Sequence, residues 1–346
     1  MHKFKYFIVL TILFLNNNFC CAQNNTFKIA IVGPFTGLYQ AYGKQLLLAA
    51  NKAINSSNLE LIPFDDQCNI DIAKSIATQI ISDPNIKAVI GHSCPFVNKY
   101  VSKIYAKHGI LQFIPIATSP EITEQNINTL FRMCGSIDRE AQFISNFIAK
   151  QFNNKKIAIL HTADIHNKEL AEYLQESLVT LKIFPALYQN ISIDFINNPI
   201  KIKNLINKLK KLKIDIIVFN GLYKETANFI KIMRIKKIQI PLIINSSTAI
   251  KGFKAPPEVI MSFQKLEKNT HIKDLSILGY AAIEAIHAAL LNNHNYPNNN
   301  ILANWLHQNK INTVLGEKSW DLNGNIINDD FAMYIWDNNN KLSIIN

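Results

Sequence analysis

The 346-residue sequence predicts an α/β protein built from two doubly wound parallel sheets, and three observations carry that expectation. Short apolar runs alternate with stretches of helical period along most of the chain. The alternation begins afresh after Arg132, so one architecture is written twice. Only the last stretch departs from it, closing on a hairpin pattern instead of a βα unit.

Ahead of the first strand, Lys3 and Lys5 precede an apolar run over residues 6–15 and a polar Asn16-Asn17-Asn18. That is the pattern of a signal peptide, too short to span a bilayer. Ala22, with Cys20 two positions before it, sets the expected cleavage ahead of Gln23 and leaves a mature chain of roughly 320 residues. Cys20 and Cys21 raise a lipid-modified N-terminus as a rival, but Asn18 and Phe19 before them are not the small and aliphatic residues of such a signal. Segment 1–22 is therefore set apart from the fold.

The first series then runs strand 28–32, a turn holding Gly33, Pro34 and Gly37, helix 42–54, strand 59–64, helix 70–82, strand 88–90, helix 96–107 and strand 112–116. The second runs helix 138–151, strand 156–161, helix 167–181, strand 186–191, helix 200–212, strand 214–220, helix 224–235 and strand 241–245. After a break at 252–257 come helices over 275–292 and 299–308. The tail pairs 318–322 with 331–337 across the Asn323-Gly324 turn. By itself this pattern fits two domains joined once and two lobes crossed several times equally well.

The formal net charge of +11 includes the two leader lysines, and the rest of the basic excess is spread over Ile-, Asn- and Lys-rich stretches such as 201–213. Arginine is scarce and the lysines alternate with isoleucine and leucine at helical spacing, so a solvated surface is expected and no nucleic-acid partner. Beyond the leader no segment reaches the roughly 18 apolar residues of a membrane span. Three cysteines follow the leader, Cys68, Cys94 and Cys134, which in an oxidising compartment allows one pair and leaves one over.

Chemistry-bearing motifs are few. Gly91-His-Ser-Cys-Pro95 resembles a Gly-x-Ser-x-Gly nucleophile elbow, which would make Ser93 the nucleophile of a serine hydrolase, but Pro95 replaces the second glycine. No Walker A loop or Gly-x-Gly-x-x-Gly occurs, and the histidines lack metal-ligand spacing. No enzymatic activity, cofactor or metal is expected. A different opportunity lies in Ile116-Ala117-Thr118-Ser119-Pro120-Glu121, at the carboxyl end of a strand, where ligands of open α/β sheets sit. Ser119 as N-cap and Pro120 at the first helical position predict a helix start, whose free N–H groups with the Thr118 hydroxyl suit a carboxylate.

Several stretches together resemble the branched-chain amino-acid-binding family of type I periplasmic binding proteins of ABC transporters: Ile31-Val-Gly-Pro-Phe-Thr-Gly37, Tyr42-Gly43, Phe64-Asp-Asp-Gln-Cys68, Val89-Ile-Gly-His-Ser-Cys94, Pro115-Ile-Ala-Thr-Ser-Pro-Glu121, Phe131-Arg132, Ile157-Ala-Ile-Leu-His161 and Ser319-Trp-Asp321. Their order and spacing, more than any one of them, carry the likeness. The resemblance implies two Rossmann-like lobes linked by three crossovers, expected near residues 136, 255 and 328. That assigns 23–136 with 257–328 to lobe one and 137–256 with 329–346 to lobe two. It implies a Cys68–Cys94 disulfide, whose loop of about 26 residues would restrain the unfolded chain by roughly 3–4 kcal/mol. Cys134 is then left as a buried small apolar residue.

The resemblance also implies a ligand site. Ile116, Ala117 and Thr118 match positions that hold the ligand's α-carboxylate, and Tyr42 an aromatic residue packed over its side chain. Three positions depart from the family. Pro95 stands where a hydroxyl donor is usual, with Ser93 adjacent; His166 and Leu222 or Tyr223 stand where lobe two has aromatic residues. Ser246 stands where an acid holds the ligand's ammonium, which leaves Asp164 or Glu225 to substitute, or a ligand without an ammonium. Between Ala249 and Glu258 no counterpart of a strand usual in the family is found. The function expected is a periplasmic, monomeric receptor that closes on an amino acid or related carboxylate and delivers it to a membrane permease. A sensor of the same fold that signals to a membrane protein without transport is the alternative.

Overall fold

A computed structural model describes residues 27–54, 59–267, 270–293, 298–327, 331–339 and 341–345. The expected leader and its cleavage point lie outside the described residues. Eight elements open the first lobe: β1 (Phe27–Gly33), α1 (Gln40–Ile54), β2 (Leu59–Asp65), α2 (Ile70–Ser82), β3 (Ile86–Ile90), α3 (Pro95–Lys107), β4 (Leu111–Ile114) and β5 (Leu130–Arg132). The strands form one parallel sheet in the order β2-β1-β3-β4-β5. Ile29, Ala30, Ile31 and Val32 are all buried, as a parallel strand covered on both faces requires. Helix α2 shows how the sequence sets its layer: the Asn69 side chain accepts the N–H groups of Asp71 and Ile72 at the start. Ala73, Ile76, Ala77 and Ile80 then fall on one buried face, each isoleucine contributing about 1.5–3 kcal/mol of burial.

The second lobe comprises α4 (Ile137–Gln151), β6 (Ile157–His161), α5 (Ile165–Thr180), β7 (Leu187–Asn190), α6 (Pro199–Leu212), β8 (Ile216–Asn220), α7 (Tyr223–Ile235), β9 (Leu242–Ile244) and β10 (Val259–Gln264). The chain then forms α8 (Ser276–Leu291), α9 (Asn299–Gln308), the β11 (Ile311–Thr313) and β12 (Gly316–Lys318) hairpin, β13 (Phe331–Trp336) and β14 (Leu342–Ile345). The second sheet has the order β14-β13-β10-β9-β8-β6-β7. Its strands β6 to β10 run parallel in the neighbour order of the first sheet, and β13 and β14 add antiparallel.

Three sequence expectations are corrected here. Strand β10 lies in the second sheet, paired with β9 (Val259↔Leu242) and β13 (Gln264↔Phe331), although residues from 257 on were assigned to lobe one and no strand was expected. The passage to α8 therefore lies between Gln264 and Ser276, not near 255. The run follows Pro256-Pro257 and includes Ser262 and Gln264, which disguise six buried strand residues. The Asn323-Gly324 turn closes only the Trp320↔Ile326 bridge, and β13 pairs with β10 and β14, not with 318–322. Strand β5 was also unforeseen, being three residues ending on a buried arginine. The passage expected near 328 lies outside the described residues.

The returning segment completes lobe one. Helix α8 is buried nearly all round and packs on α1, close enough that a Cβ at Gly279 would stand 3.1 Å from the Leu46 carbonyl oxygen. Trp320 packs edge-on against Phe113 and Phe131, and its indole N–H donates to the Arg132 carbonyl at 2.8 Å. Among the described residues no helix is long and apolar enough to cross a membrane.

Candidate functional site

In each sheet the strand order reverses once, between β1 and β3 and between β6 and β8, and the crevice at the carboxyl ends beside such a point is where an α/β sheet can admit a ligand. On lobe one the turn after β1 is pinned by Asp65, whose carboxylate accepts from Thr36 Oγ1 (2.6 Å) and the N–H groups of Phe35 (2.8 Å) and Gln67 (3.1 Å). Partial burial pushes that carboxyl up, and these donors together outweigh it and hold it below its ordinary value. Helix α1 closes on the turn through Gly43, where a Cβ would stand 2.4 Å from the Pro34 carbonyl oxygen.

After β3, His92 is wholly buried between Asp66 (Nδ1 to Oδ2, 2.7 Å) and Tyr105 (Nε2 to OH, 3.0 Å). Both ring nitrogens are taken up by these two partners, so His92 offers no base to the serine of the elbow-like motif. The Ser93 hydroxyl itself is buried without a hydrogen-bond partner. Cys94 is joined to Cys68, their α carbons 5.6 Å apart, while Cys134 is buried and outside any disulfide.

The stretch 116–121 is held differently from the expectation. No helix starts there: Pro120–Ile122 is a single short turn, and Ser119 makes no side-chain cap. Its order comes from Arg132, a buried guanidinium that donates to the carbonyls of Thr118 and Ser119 (both 2.9 Å) and to Thr123 Oγ1 (2.8 Å). Sequence reasoning noticed Arg132 as part of a motif and missed this role.

On lobe two, Asp164 caps α5 by accepting the Asn167 N–H. Behind it a buried relay runs from Thr162 through Asn167 to Asn245, fixing the loop that carries Ser246 and Ser247. Three side-chain contacts at the crevice, among others that cross between the lobes, involve the residues singled out from the sequence or their neighbours. Tyr39 donates to Asp164 (2.7 Å), Tyr42 donates to the Ser247 carbonyl (3.0 Å), and Thr118 Oγ1 lies 3.2 Å from His166 Nδ1. Burial pushes the His166 imidazole below its ordinary pKa, against the opposing pull of the Asp164 charge.

Between the lobes lies a cavity of about 410 Å³. Of the expected site residues, Tyr42, Ser93, Ile116, Thr118, His166 and Ser246 line it. Ala117 and Tyr223 do not: Ala117 is wholly buried, its carbonyl facing the Cys134 thiol, and Tyr223 packs edge-on to Tyr42 at 6.1 Å. Glu225 lies outside the lining and is spent on the Leu222 N–H as a helix cap, and Asp164 on Tyr39 and Asn167.

The residue the sequence reading missed is Glu140. It lines the cavity at 1% exposure, accepting the Ser246 N–H at Oε1 (2.9 Å) and the Ser246 hydroxyl at Oε2 (2.8 Å). Burial raises its carboxyl above the ordinary value, and the Ser246 and Ser262 groups lower it in part. The signal was available: Ile137, Glu140, Ala141, Ile144 and Ile148 fall on one face of α4, so Glu140 had to be buried with them. Among the described residues no cluster of His, Cys, Asp and Glu suits a metal ion.

The comparisons agree with this architecture. An amino acid binding protein of Pseudomonas aeruginosa is 25% identical over 90% of this chain and 91% of its own, and the Leu/Ile/Val-binding protein of Escherichia coli 25% identical over 89% and 90%. Among solved structures, an ABC transporter substrate-binding protein of Desulfitobacterium hafniense in complex with Leu has a TM-score of 0.75 at 20% identity, covering 92% of this chain and 99% of that one. A Rhodopseudomonas palustris solute binding protein in complex with benzoate has a TM-score of 0.77 at 15% identity, covering 92% and 95%. The periplasmic binding protein family model matches residues 26–248, the span holding both switch points and most of the cavity wall, and with two such lobes around one crevice the chain belongs to that family.

Proposed function

We propose that the protein is an exported, monomeric solute receptor that closes on an amino acid or amino-acid-like carboxylate and hands it to the permease of an ABC transporter. The observation that carries this reading is the Ser93 hydroxyl, buried and unpartnered in the wall of an interlobe cavity beside Thr118. A buried donor without an acceptor costs about 1–3 kcal/mol, which a ligand carboxylate would repay. Ile116 and Thr118, the latter with its carbonyl held by Arg132, belong to the same lining. Relatives whose names and complexes include amino acids, Leu and benzoate all take a solute with a carboxylate, which supports the same pole.

The mechanism is hinge closure. The ligand docks on the lobe-one wall of Tyr42, Ser93, Ile116 and Thr118, and lobe two adds His166 and the Ser246 loop. Tyr39–Asp164, Tyr42–Ser247 and Thr118–His166 tie the lobes only when they are shut, so they add to affinity through the differential between open and closed forms. Tyr223 contributes by backing Tyr42. A thermal-shift screen of amino acids and small carboxylates tests the reading. A ligand at a hundredfold excess over its Kd should stabilise by about 2.7 kcal/mol; a protein whose melting temperature no member of the panel moves is not this receptor.

A further inference from the structure

We infer that Glu140 is the group that recognises the ligand's ammonium, and that it makes the receptor select α-amino acids over plain carboxylates of the same shape. The inference rests on the receptor reading above and names the chemistry of the same cavity. Glu140 is almost fully buried, and among the described residues its hydrogen-bond partners are neutral: the Ser246 N–H and hydroxyl, with the Ser262 hydroxyl close by. The groups that act on its carboxyl are burial and these neutral donors, with no cation among them. A carboxylate offers about four acceptor positions, so two donors from Ser246 leave lone pairs to spare in the cavity. Burying an acid with no cation is costly, and the cost is recovered if the solute brings the cation.

The cavity then has two poles of opposite preference. Ser93 and Thr118 on lobe one present hydroxyls suited to an anion, and Glu140 presents an acid. Gln264, whose amide nitrogen is buried without a partner, lies in the same lining as a further donor. Ser246 contacts both carboxyl oxygens and so serves to orient Glu140; it is a positioning residue. Glu225 caps its helix outside the lining, and Asp164, which does line the cavity, is engaged across the lobes by the Tyr39 hydroxyl as well as by the Asn167 N–H, whereas both donors to Glu140 come from Ser246 of its own lobe.

Calorimetric titration with two matched pairs tests this: L-leucine against 4-methylpentanoate, and L-phenylalanine against 3-phenylpropanoate. In the wild-type protein the amino acid of at least one pair should bind about a hundredfold or more tighter than its desamino partner. Glu140→Gln, nearly isosteric, should remove that preference by weakening the amino acid, with the desamino acid holding or gaining affinity. Should that variant fail to fold, Glu140→Asp, which keeps the charge but withdraws it by one methylene, should cost the amino acid about tenfold. Ser246→Ala should cost less than Glu140→Gln for the same amino acid. A wild-type protein that binds desamino acids as well as amino acids overturns the assignment while leaving the receptor reading intact. So does a folded Glu140→Gln protein that keeps the preference. Binding of neither kind of solute overturns both readings.

Discussion

The two walls of the crevice are built on the same strand order and do opposite work. Lobe one fixes its loops from behind with buried or anchored groups: Asp65 under the first turn, Asp66–His92–Tyr105 and the Cys68–Cys94 bond under the second, Arg132 under the third. What it shows the cavity is aromatic and aliphatic surface with the hydroxyls of Ser93, Thr118 and Ser119, and Lys99 and Glu121 besides. Lobe two anchors its loops through the neutral Thr162–Asn167–Asn245 relay and brings ionisable groups forward, Asp164, His166 and, through α4, Glu140. A duplicated topology thus supplies the crevice, while the side chains at the strand ends differ from wall to wall; in the receptor reading proposed above, lobe one would be the platform for the carboxylate and lobe two the closing jaw.

The contrast can be broken most severely at Arg132. Arg132→Met strips donors from two carbonyls and a hydroxyl at once, and should destabilise the protein by about 3–5 kcal/mol in urea unfolding. An unchanged midpoint would mean that the platform is not preset by that side chain. Next in size, replacing Cys68 and Cys94 together by Ser should cost about 2–4 kcal/mol, a loss that a reducing agent reproduces in the wild type and cannot add to in the variant.

Ser93→Ala sharpens the comparison from the other side. Its hydroxyl has no protein partner, so stability should change by less than about 0.5 kcal/mol, while ligand affinity falls about fivefold to tenfold by calorimetry. A smaller effect is expected from pH. The His166 pKa is lowered in the closed form, so closure is fully supported above its ordinary value of about 6.5 and weakens as pH falls towards the depressed one. Affinity measured from pH 7.5 to 5.5 should therefore decline. His166→Gln should flatten that part of the decline, leaving the part due to Glu140, whose raised carboxyl also takes up a proton on acidification. A wild-type affinity that rises with acid would contradict both directions.

Much of this was legible in the sequence because apolar periodicity reports burial. The long helices and most of the strands were expected; Thr118 was singled out for its place after a strand, Tyr42, Ser93 and His166 through the family resemblance, and all four line the cavity. What escaped were elements whose residues are buried despite being polar. Strand β5 ends on Arg132 and β10 carries Ser262 and Gln264, so neither reads as an apolar run. Ser119-Pro120 has the composition of a helix start, yet the guanidinium of Arg132 claims the Ser119 carbonyl and only one turn forms. Glu140 sits in Asp138-Arg139-Glu140, where composition suggests a solvated first turn, and only its phase relative to Ile137, Ala141 and Ile144 gives it away. Ser246 shows the limit of analogy: the expected acid is absent from that position, and a carboxylate reaches the same spot from another helix.

The placement of β13 between β10 and β14 bears on how the chain is made. Lobe two waits for residues 331–336 to fill its sheet, and lobe one waits for α8 and Trp320 to cover its core. While the first three hundred residues are being synthesised, neither half has its full complement of partners, so neither lobe can close its core early. The same weave leaves no place to cut that frees one lobe whole. Removing residues 331–346 would take two strands out of the second sheet, and a growing polypeptide is in that condition until those residues have been made.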